Sequence, residues 1–245
     1  MGKFHIRPEA ISGGRVVFDA AETRHLLRVL RLAPGDTIHA VDGQGGEFVV
    51  RLDSVHGREA AGQILGRSDR RTESPCCITL VQGIPKADKM EWIVKTVTEL
   101  GAVRVVPLLT ERVIVRLPLS RWRERQRRWQ RVAREAAKQC GRSVIPTVEP
   151  VTTLTEFSAG APGAELAICL WEDERRDLRG ILDSVSGVPA SVLLVVGPEG
   201  GLAAHEVELL RGLGFRTAGL GPRILRTETA APVGVALLQA RFGDL

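Results

Sequence analysis

Leu220-Gly221-Pro222-Arg223-Ile224-Leu225-Arg226-Thr227-Glu228-Thr229-Ala230 sets glycine and proline beside two branched aliphatic residues and closes on an arginine, two threonines and a carboxylate. A connecting turn has no need of that mixture, whereas a ligand-binding loop does. Upstream, the apolar run 192–196 stops at Gly197-Pro198-Glu199-Gly200-Gly201, and an amphipathic segment, 203–213, follows. The two stretches read as loops at the carboxyl ends of neighbouring strands, where open α/β sheets hold their ligands. Glycines let the main chain approach a flat ligand closely, so that N–H and C=O groups read an adenine edge. Leu220, Ile224 and Leu225 supply apolar walls.

Other chemistries lose ground on the same residues. Gly197 to Gly201 lack the Lys-Ser/Thr that follows a phosphate-binding Walker loop, and they fail the G-x-G-x-x-G spacing of a dinucleotide site. There is no G-x-S-x-G elbow and no H-E-x-x-H. The four cysteines, Cys76, Cys77, Cys140 and Cys169, show no C-x-x-C spacing, so neither a metal site nor a disulfide framework is expected. The longest apolar run is far too short to span a bilayer, and the start carries no apolar signal core. A reduced, cytoplasmic protein with no membrane partner and no metal is the expectation.

Outward from the two loops, the chain reads as two domains, 1–70 and 75–245. The first is β-rich: a strand at 16–18, one helix over 21–30, and a hairpin of 37–41 and 47–52 around Asp42-Gly43-Gln44-Gly45-Gly46, with barrel closure. Arg24, Arg28 and Arg31, spaced by four and three, fall on one helical face that is either solvated or turned toward RNA. The polar stretch 66–75 marks the boundary. Beyond it strands (77–82, 103–109, 166–170, 192–196, 215–218) alternate with helices (87–100, 174–184, 203–213, 230–242), which implies a parallel sheet covered on both faces.

Charge is uneven. Residues 75–150 hold 15 basic and 7 acidic side chains, against 11 and 10 in residues 1–74 and 8 and 12 in residues 151–245. Much of the excess lies on a helix over 120–140, with Ser120 as its cap and Gly141 at its end. Trp122, Trp129, Val132, Ala133, Ala136 and Cys140 line one side, and Arg121, Arg123, Arg125, Arg127, Arg128, Arg131, Arg134 and Lys138 occupy the rest. Such a surface is either a solvated helix face or one turned toward a polyanion, nucleic acid.

The paired loops resemble the signature of the SPOUT methyltransferases, in particular the RsmE family. The similarity extends to Ile84-Pro85-Lys86 with Asp88-Lys89-Met90, Thr98-Glu99-Leu100-Gly101, Val106-Pro107-Leu108-Leu109-Thr110-Glu111-Arg112, and Arg134-Glu135-Ala136-Ala137 with Gln139 and Gly141-Arg142. Arg24-His25-Leu26 and Val29-Leu30-Arg31 with Pro34-Gly35-Asp36 are similar to that family's PUA-like barrel. The resemblance implies an α/β fold: a small N-terminal PUA-like β-barrel followed by a SPOUT domain with a C-terminal trefoil knot. It also implies a homodimer and S-adenosylmethionine as cofactor, released as S-adenosylhomocysteine. The substrate it implies is 16S rRNA within the 30S subunit, methylated at N3 of a uridine. A methyltransferase acting on tRNA and a non-catalytic ribosome-assembly factor are the competing readings.

The residues carrying these roles follow. Leu170, Val196, Gly197, Glu199, Gly200, Gly201, Leu220, Gly221, Ile224, Leu225 and Thr229 are expected around the cofactor. Arg24, Arg28, Arg31, Lys86, Lys89, Arg112, Arg134, Gln139 and Arg142 are expected toward RNA. Arg226 is the candidate cation for charge that develops as the uracil N3 proton leaves. Glu228 or Glu199 either accepts that proton or caps main-chain amides. Thr229 as cap of the last helix would put Pro232 in its first turn, where no N–H is needed.

Overall fold

The computed structural model describes residues 3–56, 59–68, 72–160 and 163–245. The chain packs into two compact units, Met1–Glu73 with Ala137–Ile145, and Ser74–Ala136 with Pro146–Leu245.

In the first unit, β1 (Phe4–His5), β2 (Ile11–Ser12), β3 (Arg15–Phe18), β4 (Thr37–Val41), β5 (Glu47–His56) and β6 (Glu59–Arg67) form one sheet in the order β1-β4-β5-β6-β3-β2. Alternation in the hairpin sends Ile38, Ala40, Phe48, Val50 and Leu52 to the core, where they meet Phe4, Phe18 and Leu26. The Asp42 carboxylate closes the turn by accepting from the N–H groups of Gln44 and Gly46, both at 2.8 Å.

The single helix expected over 21–30 is instead α1 (Ala20–Arg24), capped by Asp19, running into one π-helical turn, His25–Val29. The Leu30 N–H reaches back five residues to the His25 carbonyl at 3.2 Å. That wider turn breaks the 3.6-residue register on which the shared arginine face rested. Arg31 lies beyond the helix at φ 55°. Leu26 is buried, but Val29 and Leu30 are exposed.

Of the expected boundary stretch, Gly66 and Arg67 belong to β6, residues 69–71 lie outside the described residues, and Glu73 is an anchor. The Glu73 carboxylate accepts from Arg142 Nε and Nη2 at 3.0 and 2.7 Å and from the Ser143 and Val144 N–H groups at 2.9 and 3.0 Å.

The second unit holds β7 (Cys77–Gly83), α2 (Lys89–Glu99), β8 (Arg104–Leu109), most of α3 (Leu119–Cys140), β9 (Thr147–Val148), β10 (Thr152–Thr153), α4 (Leu154–Gly160), β11 (Leu166–Leu170), α5 (Leu178–Asp183), β12 (Ser191–Val196), α6 (Ala204–Gly212), β13 (Arg216–Ala218) and α7 (Thr227–Phe242). The strands pair in parallel in the order β10-β8-β7-β12-β11-β13, with β9 beside β8. Central β12 is apolar from Val192 to Val196 because both its faces are covered. α2, α3, α5 and α7 contribute to one apolar cluster; α4 and α6 contribute to the other.

Helix starts shift from the sequence reading, most clearly in α3, α5 and α7. α3 begins at Leu119, so Ser120 sits inside the helix, and the Pro118 carbonyl accepts from the Arg121 and Trp122 N–H groups. α5 begins at Leu178 because Asp177 caps it, accepting from Gly180 N at 2.7 Å. α7 begins at Thr227 with Arg226 in the cap position, which places Thr229 within the helix and Pro232 beyond the first turn. α6 lacks a polar cap at Ala203, and buried Glu206 compensates by accepting from the Ala203 and Glu111 N–H groups at 2.9 and 2.8 Å.

Candidate active site

β12, β11 and β13 end side by side, and the chain leaving them builds a cleft of about 390 Å³. Gly197, Pro198, Glu199 and Gly201 form one wall after β12, Trp171 and Glu172 another after β11, and residues 219–227 the third after β13. Leu170, Val196, Ala218 and Ala230 lie at its base. This volume and mixed lining suit a small-molecule ligand.

The walls are tied together from beneath. The fully buried Gln82, at the end of β7, donates through Nε2 to Thr227 Oγ1 at 2.9 Å, to the Gly83 carbonyl at 2.8 Å and to the Gly197 carbonyl at 3.4 Å. Thr227 Oγ1 in turn donates to the Gly197 carbonyl at 2.6 Å. Gln82 Oε1 has no hydrogen-bond partner among the described residues. Gly83 allows this convergence, since a Cβ there would lie 2.5 Å from Pro198 Cδ and 2.6 Å from Pro198 N. Neither Gln82 nor Gly83 stands out in the sequence, because residues at the end of an apolar strand have no periodic signature, whereas Thr227 belongs to the loop stretch that the sequence does single out.

A charged cluster forms the rim. Lys89 Nζ lies 3.0 Å from Glu199 Oε1 and 3.1 Å from Glu228 Oε2. Its hydrogen bonds to Glu199 and then Glu228 raise the Lys89 pKa above the ordinary lysine range. Partial burial pushes the Glu199 pKa up, but the bonds from Lys89 and from the Lys86 N–H at 3.1 Å outweigh it, and the net shift is downward. Glu199 is therefore an ionised carboxylate. Arg112 Nη1 donates to the Gly200 carbonyl at 2.8 Å and pins the outer end of the same loop.

The opposite wall is fixed by Glu174. The bond from the Thr217 hydroxyl, then the Arg176 N–H, and further bonds from Arg211 and the Arg175 N–H hold its carboxyl down at about 2. Arg211 also lies over the Trp171 ring, 5.4 Å from its centroid. Main-chain bonds from Trp171 N to Ala218 O and from Gly219 N to Arg176 O stitch the two loops together at 2.9 and 2.8 Å.

Among the residues expected at the cofactor, Leu170, Val196, Gly197, Glu199, Gly201, Leu220, Gly221, Ile224 and Leu225 line this one cleft. Gly200 and Thr229 do not: Gly200 packs against Arg112, and Thr229 lies in the first turn of α7. Arg226 lines the cleft and, like Arg223, has no ion-pair partner among the described residues, whereas Glu228 is turned to Lys89. Of the residues expected at RNA, Arg24, Arg28, Arg31, Lys86, Arg134 and Gln139 are exposed. Lys89 is committed to two carboxylates at the rim. Arg142 is a correction: at 4% exposure and doubly bonded to Glu73, it is a buried structural ion pair with no surface to offer a phosphate. Among the described residues no cluster of His, Cys, Asp and Glu is placed to hold a metal, and no helix is long and apolar enough to cross a membrane.

Residues 72–239 match the model of an RNA methyltransferase domain, and residues 18–65 that of an RNA methyltransferase PUA domain. The ribosomal RNA small subunit methyltransferase E of Synechocystis is 36% identical over 237 residues, covering 96% of this chain and 76% of its own. The protein of the same name from Bacillus subtilis is 34% identical over 213 residues, covering 85% and 83%. The crystal structure of a ribosomal RNA small subunit methyltransferase E from Neisseria gonorrhoeae, bound to S-adenosyl methionine, superposes with a TM-score of 0.87 at 32% identity, covering 100% of this chain and 99% of that one. On the match of its catalytic-size domain, its N-terminal PUA domain and these relatives, the chain belongs to the RNA methyltransferase family that includes the ribosomal RNA small subunit methyltransferases E.

Proposed function

We propose that the protein transfers a methyl group from S-adenosylmethionine to N3 of a uridine in 16S rRNA, in the setting of the 30S subunit. The observation that carries this is the cleft walled by both 197–201 and 219–227, with the unpaired Arg226 on its lining. Its features fit the cofactor: apolar Leu220, Ile224 and Leu225 suit an adenine, main-chain groups of the glycine loops suit its edge, and the orphaned Gln82 Oε1 offers a buried acceptor beneath. Leu170, Val196, Gly197, Gly201 and Gly221 complete the set. Family membership and a cofactor-bound relative of similar fold support the same reading.

When bound, S-adenosylmethionine supplies an electrophilic methyl group on a sulfonium and departs as S-adenosylhomocysteine. The chain's own residues prepare the nucleophile. Uracil N3 carries a weakly acidic proton, and its loss leaves negative charge shared with the flanking carbonyl oxygens. Arg226 stabilises that charge, as oxyanion-hole donors do. Of the two acids, both of which hold Lys89, Glu199 lines the cleft and is the candidate to take the proton. The uridine leaves its stack to enter the site.

The same reading assigns residues 1–70 to a PUA-like barrel that contacts RNA through Arg24, Arg28 and Arg31, and residues 75–245 to a SPOUT domain. The segment 219–226 is the knotted loop, and two chains associate as a homodimer. The bonds from Gln82 and Thr227 to the Gly197 carbonyl fasten the loops after β12 and β13 to each other.

The test is methyl transfer from labelled S-adenosylmethionine to unmodified small ribosomal subunits, followed by nucleoside analysis. Wild type yields N3-methyluridine, and Arg226→Ala lowers the rate about 100-fold or more at unchanged cofactor affinity. Tight cofactor binding with no methylated nucleoside would overturn the reading in favour of an assembly factor.

A further inference from the structure

α3 distributes its cations in a way that solubility does not explain. Arg121 pairs with Glu124 at 3.0 Å, and Arg128 pairs with Glu91 at 2.7 Å and reaches Asp88 at 3.9 Å. Arg125 lies over the Trp122 ring at 5.8 Å. By contrast, no carboxylate, hydrogen bond or aromatic ring holds the guanidinium groups of Arg123, Arg127, Arg131 and Arg134 among the described residues, and all four are exposed. Their spacing of four, four and three puts them on one helical face, about one cation per 5.4 Å turn. Acids are matched to the flanking arginines and withheld from this stripe.

The face is also rigid. Gln126 Nε2 donates to the Val148 carbonyl at 2.6 Å, and Gln130 both donates to the Pro146 carbonyl at 2.9 Å and accepts from Val148 N at 2.8 Å. These bonds fix the rotation of α3 about its axis. A shallow trough of about 480 Å³ runs along the stripe, lined by Glu124, Gln126, Arg127, Gln130, Arg131 and Arg134. Its one acid, Glu124, is already paired with Arg121.

Arg128, next to Arg127, grips the acids at the start of α2, and Lys89 of that same turn lines the cleft. The start of α2 thus contacts α3 at Arg128 and the cleft at Lys89.

We propose that the α3 stripe Arg123-Arg127-Arg131-Arg134 is a docking surface for the phosphate backbone of RNA, outside the cleft that receives the target base. This rests on the reading of the protein as an RNA methyltransferase. Arginine suits the role because its planar fork meets phosphate oxygens in pairs and stays charged. Unpaired guanidinium groups pay no cost of breaking internal ion pairs when they bind. Fixed rotation spares the ordering of the helix itself.

The experiment measures binding of fluorescein-labelled 16S rRNA fragments across a salt series. It compares wild type, the triple variant Arg127→Gln/Arg131→Gln/Arg134→Gln, and a charge-matched control, Arg179→Gln/Arg216→Gln/Arg241→Gln. With about 0.7 counterions released per phosphate on single strands, the stripe variant lowers the slope of log affinity against log salt by about 2, and the control leaves it unchanged. In methyl transfer, KM for RNA rises tenfold or more while kcat and cofactor affinity hold. An unchanged slope in the stripe variant overturns the proposal. So does normal binding to naked rRNA with lost binding to whole subunits, which would make the surface a protein contact. Because binding is read without turnover, absence of methyl transfer by wild type would count against the methyltransferase reading alone.

Discussion

The hydroxyl of Thr227 donates to the main-chain carbonyl of Gly197 at 2.6 Å while accepting from the buried amide of Gln82 at 2.9 Å. Residues thirty apart in sequence thus share one polar knot of atoms under the cleft, and both loops that wall it take their height from that contact.

Thr227→Val keeps the shape of the side chain and removes both bonds, leaving the Gly197 carbonyl with only the long 3.4 Å bond from Gln82. The expected loss is about 1–3 kcal/mol of stability, with weaker cofactor binding. Thr227→Ser retains both. Thermal unfolding and calorimetric titration with S-adenosylmethionine check the pair, and equal behaviour of the two variants would remove the hydroxyl from the account.

Gly83→Ala tests close packing in place of hydrogen bonding. The new Cβ would lie 2.5 Å from Pro198 Cδ and 2.9 Å from the Gly197 carbonyl carbon, so backbone has to move. Overpacking of this kind costs about 1–3 kcal/mol. Because the atoms displaced belong to the cofactor loop, affinity for the cofactor falls along with the melting temperature. A variant with wild-type affinity would contradict that coupling.

Lys89→Met separates the rim acids from their shared cation. Glu199 has its pKa lowered from 4.5, so the Lys89–Glu199 pair contributes above the ordinary carboxylate range and is lost as pH falls through the depressed value. Lys89 is raised above 10.5, so the same pair persists to high pH and fails only above that range. Cofactor affinity measured against pH therefore differs between wild type and Lys89→Met at pH 7, and the two curves converge as the solution is made acid. Parallel curves down to acid pH would show that the pair does not govern the loop.

Glu174→Gln addresses the other wall. The Glu174 pKa is lowered from 4.5 to about 2, so its contribution to stability is complete above pH 4.5 and disappears as pH falls toward 2. Wild type loses stability over that window, and the variant, already weakened at neutral pH, loses less. Acid titration followed by circular dichroism reads the difference in slope. Arg211, which lies over Trp171 in the cleft wall, loses one of its two carboxylate partners, so cofactor binding weakens as well.

Much of this protein could be read from local pattern. The continuous apolar run 192–196 gave a strand buried on both faces, and the alternation through 37–41 and 47–52 gave a hairpin, because side-chain period reports directly on which face is covered. The glycine-rich stretch 197–201 and the mixed stretch 220–230 named the loops that wall the cleft, since their composition serves no ordinary turn. What pattern could not supply was partnership over long sequence distance. Arg142 reads as one more surface cation until Glu73 is seen to bury it. Lys89 reads as a phosphate ligand until two carboxylates are found around it. Spacing alone aligned Arg24, Arg28 and Arg31, and a single π-helical turn undid the alignment. Gln82, Gly83 and Glu174 carry no local signature at all, because their roles exist only where separate strand ends meet. Sequence determined the elements and the loops, through periodicity and conformational preference; tertiary structure alone decided which charges are free and which are spent, because pairing is a property of positions in space.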